Sequence, residues 1–370
     1  MRKADTIDIT FLCEFGSING AEKSLLAMLR LFSQTEILPQ IVAPDQGPFA
    51  ETLRSRGITL IPWPRNFAVM PLDEKRCQLE KILRHHRPDL VHANSLSMGR
   101  LSGPVLQTLG IPGVAHLRDI VRLNKTVVAD LNKQRRLFAV SNATRDFHIQ
   151  QGIDSAKCVT LYNGVDLQEF RPRSATGSLH AELGIPASSR LLGCIGQIGL
   201  RKGQDVLLDA IEPILTPLDL HLLLIGQRFS EKEEAVLFEN RLRKRTQSSP
   251  FSGRVHFLGI RNDIPKLLPE LTLLVHAARQ EPLGRVLLES LACGVAAIAT
   301  EVGGTPEILP CREQLTPPDD PEELRNRIVE LLENHELRAK IAADSRTVAE
   351  SKFSDAFVFE NLQKYYRELL

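Results

Sequence analysis

One pattern limits the folds open to this chain more than any other. Short apolar runs, rich in β-branched residues, alternate with longer stretches whose apolar residues recur three and four apart. Ile7-Asp8-Ile9-Thr10-Phe11-Leu12, Gln40-Ile41-Val42-Ala43, Thr59-Leu60-Ile61, Asp89-Leu90-Val91-His92, Gly113-Val114-Ala115-His116 and Leu137-Phe138-Ala139-Val140 read as strands. Helical patterns separate them: one carries Leu25, Leu26, Leu29 and Phe32 on a single face, and another runs from Asp73 to His85. Strands this short and apolar, interleaved with helices, belong to parallel sheets built from βαβ units.

The alternation breaks over 162–190. Asn163-Gly164-Val165-Asp166 reads as a turn, and Arg171-Pro172-Arg173-Ser174-Ala175-Thr176-Gly177-Ser178 is polar and aperiodic, as linkers are. Strands then resume with Leu191-Leu192-Gly193-Cys194-Ile195, Leu222-Leu223-Leu224-Ile225, Val255-His256-Phe257-Leu258, Leu273-Leu274-Val275 and Ala297-Ile298-Ala299. A chain of 370 residues exceeds one ordinary core and suits two domains. The expectation is an α/β protein with two tandem Rossmann-like, doubly wound domains facing a cleft. They span 1–165 and 166–352, and an amphipathic helix over 353–370 follows, with Phe357, Leu362, Tyr365, Tyr366 and Leu369. Ligands bind such sheets at the carboxyl ends of the strands.

Composition narrows the function classes. A net charge of +1, from 46 Lys+Arg against 45 Asp+Glu, speaks against a dedicated nucleic-acid binder. Six widely spaced cysteines without a C-x-x-C pair suit neither a disulfide framework nor a metal knuckle, and fit reduced thiols in the cytoplasm. The first residues are too charged for a signal segment, and no apolar run nears the roughly 20 residues of a spanning helix. The expectation is a soluble protein, or one attached peripherally to a membrane.

Five segments could carry chemistry. Gly16-Ser17-Ile18-Asn19-Gly20-Ala21-Glu22 joins the first strand to the first helix. Its glycines admit a ligand close to the backbone and its helix amides favour an anion; equally, it is a tight turn in which Glu22 complements the helix dipole. It is not G-x-G-x-x-G, and no acidic residue stands at the ribose-reading distance of a dinucleotide site. Gly196-Gln197-Ile198-Gly199-Leu200-Arg201-Lys202-Gly203 also follows a strand, and forms either a diphosphate cradle or a solvated basic loop. It lacks the G-K-[ST] ending of a P-loop, which disfavours ATP hydrolysis.

The sharpest segment is Glu281-Pro282-Leu283-Gly284-Arg285-Val286-Leu287-Leu288-Glu289, two carboxylates with seven residues between. Glu281 falls in a loop at a strand's carboxyl edge, and Glu289 falls on an apolar helix where its charge needs partners. Sugar hydroxyls would serve, and so would a salt bridge to Arg or Lys. Val302-Gly303-Gly304-Thr305-Pro306-Glu307 reads as a turn into a helix, with Thr305 as N-cap and amides able to hold a phosphate or sugar oxygen. Capping alone would also explain it. His116, at a strand's carboxyl end, is expected to titrate near neutrality and could accept a proton or bond a hydroxyl. The alternative is a structural histidine. No carboxylate cluster of the D-x-D kind is present to hold a metal.

In order, Asn19-Gly20-Ala21-Glu22, Asp89-Leu90-Val91-His92-Ala93, His116, Asn163-Gly164-Val165-Asp166 with Phe170-Arg171-Pro172, Lys202-Gly203, the Glu281/Glu289 pair and Gly303-Gly304-Thr305-Pro306-Glu307 resemble a known family. They are similar to the retaining glycosyltransferases of family 4 (glycosyl transferases group 1), which have the two-Rossmann architecture called GT-B. The resemblance covers nearly the whole chain. Its most specific part is E-x7-E followed by Ala292-Cys293-Gly294 and the Gly-Gly turn.

This likeness implies a site. Lys202 would neutralise the donor diphosphate and Gly284 would offer its amide to the same group, flanked by Leu283 and Arg285 in the donor-binding stretch. Glu289 would bind the ribose, and Gly304 would add a donor contact. Glu281 would hold the transferred sugar and His116 would contact it, as the catalytic pair. Gly20 would let the first loop approach the substrate, and the last helix would cross back onto the first domain. One departure is Gln197, where the family often has Arg; Arg201 is the expected compensating cation. Asn19 is another, standing where many relatives have glycine.

The implied reaction moves a sugar from a UDP- or GDP-linked donor to the hydroxyl of a glycan or lipid-linked acceptor. Configuration would be retained, with neither metal nor cofactor, in cell-surface polysaccharide, lipopolysaccharide or glycolipid synthesis. A sugar-nucleotide 2-epimerase and a non-catalytic nucleotide-sugar-binding protein are the competing readings. Lys133-Gln134-Arg135-Arg136 and Arg241-Leu242-Arg243-Lys244-Arg245 are basic clusters that could meet anionic lipid, or simply solvated helix ends.

Overall fold

Strands that are apolar on both faces need cover on both, and they obtain it in two parallel sheets. The computed structural model describes residues 6–370. The chain divides into two units: residues up to Gly164 together with Asp355–Leu370, and Val165–Ser354.

The first unit holds β1 (Ile7–Leu12), β2 (Ile37–Ala43), β3 (Thr59–Pro62), β4 (Leu90–Ala93), β5 (Gly113–Leu117), β6 (Arg136–Ala139) and β7 (Cys158–Thr160). Their order is β3-β2-β1-β4-β5-β6-β7, with every pairing parallel. On one face Ile9 and Phe11 pack with Leu25, Phe32 and Leu362; Leu12 joins Leu79 and Leu101 in a second cluster. Strand order reverses between β1 and β4, so the switch point of this sheet lies at their carboxyl ends.

The second unit holds β8 (Arg190–Ile195), β9 (Leu220–Ile225), β10 (Val255–Gly259), β11 (Leu273–His276), β12 (Ala297–Thr300) and β13 (Leu315–Thr316), in the order β10-β9-β8-β11-β12-β13. Its switch point lies between β8 and β11. This topology sets the loop after β8 beside the loop after β11.

The helix Asp355–Leu369 belongs to the first unit. It buries Val358, Phe359, Leu362 and Tyr366, each contributing about 1.5–3 kcal/mol through burial. Phe359 meets Phe32 edge-on at 4.7 Å, and Arg30 pairs with Asp355 at the helix start. Phe357, expected on the packed face, is instead 43% exposed.

The segment read as a linker is not loose. Glu270 accepts from the Thr176 and Gly177 amides at 2.7 and 2.9 Å, and Arg173 Nη1 donates to the Pro265 carbonyl at 2.6 Å. Arg171–Ser178 is therefore tied into the second unit. No helix among the described residues is long and apolar enough to cross a membrane.

Candidate functional site

In the second unit, the loops after β8 and β11 bring together side chains 79 residues apart in sequence. Lys202 forms an ion pair with Glu281 Oε2; the two side chains are 14% and 9% exposed. His276, the last residue of β11, places Nε2 2.9 Å from the same oxygen. Arg201 lies 3.9 Å from it and donates to the Gln280 carbonyl at 3.0 Å. Burial opposes the Glu281 charge, but the His276 hydrogen bond and the Lys202 ammonium outweigh it. They hold the carboxyl well below the usual carboxylate range. The group is thus an anion throughout the neutral range, able to accept hydrogen bonds but not to give a proton.

Backbone geometry makes this possible. Gly203 lies at φ 62°, between the single turn Leu200–Lys202 and the helix Gln204–Ile211. A Cβ there would stand 1.9 Å from the Ala277 carbonyl oxygen. Arg279 clamps the same two loops: Nη1 donates to the Leu200 carbonyl at 2.7 Å, and Nη1 and Nη2 reach Asp205 at 2.9 Å. Gly203→Ala is expected to cost about 1–3 kcal/mol from backbone strain alone, and more from the clash. A urea midpoint unchanged from the parent would contradict this.

Beside the cluster lies a hollow of about 210 Å³ lined by Gln197, Gly199, Arg201, Lys202 and Lys232, with Glu234 at its wall. Three cations on one concave surface suit a polyanionic ligand.

The helix Arg285–Cys293 starts from Gly284, which is left-handed at φ 101°. Leu283 is buried beneath the turn. Glu289 pairs with Arg285 along the helix, Oε1 to Nη2, at 3.1 Å. The salt bridge weighed as the alternative for Glu289 is therefore present. Two features of the Gly-Gly turn differ from expectation. Thr305 is the first residue of a four-residue helix and Gly304 its cap, because Thr305 Oγ1 is engaged by the Val302 amide and the Thr300 carbonyl. The Gly304 amide donates to the Glu281 carbonyl at 3.0 Å, so it braces the Glu281 loop and does not face a ligand.

In the first unit, Gly20 opens the helix Gly20–Phe32. A Cβ on it would meet nothing within 4 Å, so no steric crowding requires a glycine there. Asn19 caps the helix, and Glu22 turns back to accept its amide at 3.1 Å. His116 is 3% exposed. Burial, then Arg118 and His92, push its pKa well below the ordinary value, so it does not titrate near neutrality as expected from the sequence.

Much of the charge in the two basic clusters is answered by neighbours. Arg245 pairs with Asp209 and Glu212, Arg243 with Glu239, Lys133 with Asp130, and Arg136 with Glu368. Gln134 is buried. Among the described residues, no group of three His, Cys, Asp or Glu side chains could hold a metal ion. Sequence reasoning missed His276 and Arg279. The signal for His276 was available: a strand-end histidine five residues before a carboxylate.

Comparison with known proteins adds the family. A model described as "Glycosyltransferase Family 4" matches residues 18–169, and one described as "Glycosyl transferases group 1" matches residues 189–334. Spore coat protein SA of Bacillus subtilis is 29% identical over 58% of this chain and 59% of its own length. The lipopolysaccharide core biosynthesis mannosyltransferase LpsB of Rhizobium meliloti is 27% identical over 52% and 57%. The chain thus spans a little over half the length of these curated relatives. Among solved structures, Anabaena Alr3699/HepE in complex with UDP-glucose is 24% identical, covering 98% of this chain and all of that one, with a TM-score of 0.86. At that identity the likeness speaks to the fold alone, the tandem Rossmann-like GT-B arrangement.

Proposed function

This chain belongs to the glycosyltransferases of group 1, family 4, and from that premise we propose that it transfers a sugar from a nucleoside diphosphate to an acceptor hydroxyl with retention at the anomeric carbon. The observation that carries this is the buried Lys202–Glu281–His276 cluster at the second sheet's switch point, beside a hollow lined by Arg201, Lys202 and Lys232. An ammonium held there matches a diphosphate, and an obligate anion next to it matches sugar hydroxyls.

In this reading Lys202, Arg201 and the Gly284 amide, with Leu283 and Arg285 at the same turn, take up the charge of the departing diphosphate without a divalent metal. Glu289 exchanges part of its Arg285 pairing for the ribose hydroxyls. Glu281 holds the sugar. The acceptor attacks from the leaving-group face, and the leaving phosphate takes its proton. His116 bonds a substrate hydroxyl, and Gly20 leaves room at the mouth of the first loop. The donor is UDP- or GDP-linked and the acceptor a glycan or lipid-linked glycan. The pathway is cell-surface polysaccharide, lipopolysaccharide or glycolipid assembly on the cytoplasmic side. The relatives named for lipopolysaccharide core and phosphatidylinositol mannoside transfer support this choice.

The test is a thermal-shift screen with UDP, GDP, UDP-glucose and GDP-mannose, followed by assay of released nucleoside diphosphate. Donors of one base should raise Tm, since ligand at 100 times Kd adds about 2.7 kcal/mol. Glu289→Ala should weaken that nucleoside diphosphate by about tenfold or more, the worth of a charged hydrogen bond. Absence of any shift and of any release would remove the proposal. Unchanged affinity in the variant would remove only the ribose assignment.

A further inference from the structure

A run of buried polar groups in the first unit has only one direction, and that direction decides what His116 can do. Arg118 Nη2 lies 3.2 Å from His116 Nδ1. A guanidinium can only donate, so Nδ1 carries no proton. His92 Nε2 stands 2.8 Å from the same nitrogen and must supply the N–H between them. A neutral imidazole has one N–H, so His92 Nδ1 is an acceptor, and the Tyr366 hydroxyl 2.5 Å away donates to it. His92 and Tyr366 are buried with His116. Burial, seconded by Arg118, keeps both imidazoles neutral.

Arg118 is itself fixed. Its Nε donates to the Asn94 carbonyl at 3.0 Å, Nη2 to Asn94 Oδ1 at 2.9 Å and Nη1 to Asn163 Oδ1 at 2.8 Å. The single proton of His116 therefore sits on Nε2, on the ring edge away from these partners.

We propose that His116 is a fixed hydrogen-bond donor through Nε2 to a substrate oxygen, not a general base, and that His92, Arg118 and Tyr366 are positioning residues that hold this tautomer. The tautomer and its positioning residues stand on the geometry; that Nε2 meets a substrate oxygen rests on the glycosyltransferase reading. The one basic nitrogen of His116 already receives two donors, so a substrate proton has nowhere to go on this ring. Tyr366 lies on the last helix, which thereby reaches a candidate site residue through two bonds.

The full chain labelled with ¹⁵N-histidine tests this directly. Subtracting the spectrum of His116→Gln picks His116 out of the ten histidines. Long-range ¹H–¹⁵N correlations should show an unprotonated Nδ1 and a protonated Nε2, alike at roughly pH 6 and pH 8. A proton on Nδ1, or a cationic ring, would overturn the proposal. In His92→Phe, which keeps an aromatic ring stacked near Phe11 (4.9 Å in the parent), the Nδ1 resonance should move toward that of a free imidazole. No movement would remove His92 from the positioning role.

With UDP-glucose and GDP-mannose as donors, His116→Ala should lose about tenfold in kcat/KM, the worth of one hydrogen bond. His116→Gln, which can donate but cannot take up a proton, should recover part of that loss. Equal losses of about 10²–10⁴ in both variants would mark a general base instead. If neither sugar is turned over, the transferase reading fails, while the spectrum still decides the tautomer.

Discussion

Lys202→Met is expected to lower kcat/KM for the nucleotide sugar by about 10²–10³, the usual cost of removing a preorganised stabiliser of developing negative charge. Methionine keeps the apolar stem and removes the ammonium. Arg201 offers incomplete cover, because its side chain is 43% exposed and stands 3.9 Å from Glu281 Oε2. The same substitution strands Glu281, and breaking a buried pair costs about 3–5 kcal/mol. The double variant Lys202→Met with Glu281→Gln separates the two effects. It should regain most of the lost stability in urea unfolding while transfer stays lost. A well-folded Lys202→Met protein with parental kcat/KM would remove the diphosphate assignment.

Glu281→Gln should lower kcat by about 10² or more while leaving UDP or GDP bound at least as tightly, because Lys202 loses a competitor for its charge. Loss of nucleoside diphosphate affinity in step with kcat would argue that Glu281 only props the loop. The acid side of the stability curve gives an independent reading. An unfolded glutamate titrates near pH 4.3, and the folded group titrates well below that because His276 and Lys202 outweigh burial. The unfolded state then takes up the proton first as pH falls. The contribution of Glu281 is complete above about pH 5 and declines as pH drops through 4.3 toward the folded value. Glu281→Gln should flatten that slope; equal slopes would show that the pairing does not persist in solution.

The sheets were legible because their strands are apolar on both faces, a pattern that survives without long-range information. Their ends were not. Cys158–Thr160 and Leu315–Thr316 are edge strands of three and two residues, too short for any period to register. The polar run at 171–178 looked untethered because its partner, Glu270, lies more than 90 residues on. At the site, the Glu281–Glu289 spacing singled out one loop and helix, and Lys202 singled out a loop that the structure sets beside it. What remained hidden was pairing: His276 on Glu281, and the Gly304 amide on the Glu281 carbonyl. Each depends on where a loop bends, which no single residue type reveals. His116 misled because its neutrality comes first from burial, then from Arg118 just past its own strand and from His92 on the adjoining β4.

The first unit is discontinuous, with its closing helix separated from the rest by the roughly 190 residues Val165–Ser354. On a ribosome adding about 5–20 residues per second, those intervening residues take roughly 10–40 s to emerge. For that interval the apolar groove awaiting Val358, Phe359, Leu362 and Tyr366 stays uncovered. Phe32 lacks its edge-on partner, and His92 lacks its hydroxyl. The later-made unit can mature first, so a holdase that shields the nascent groove would act on the earlier half.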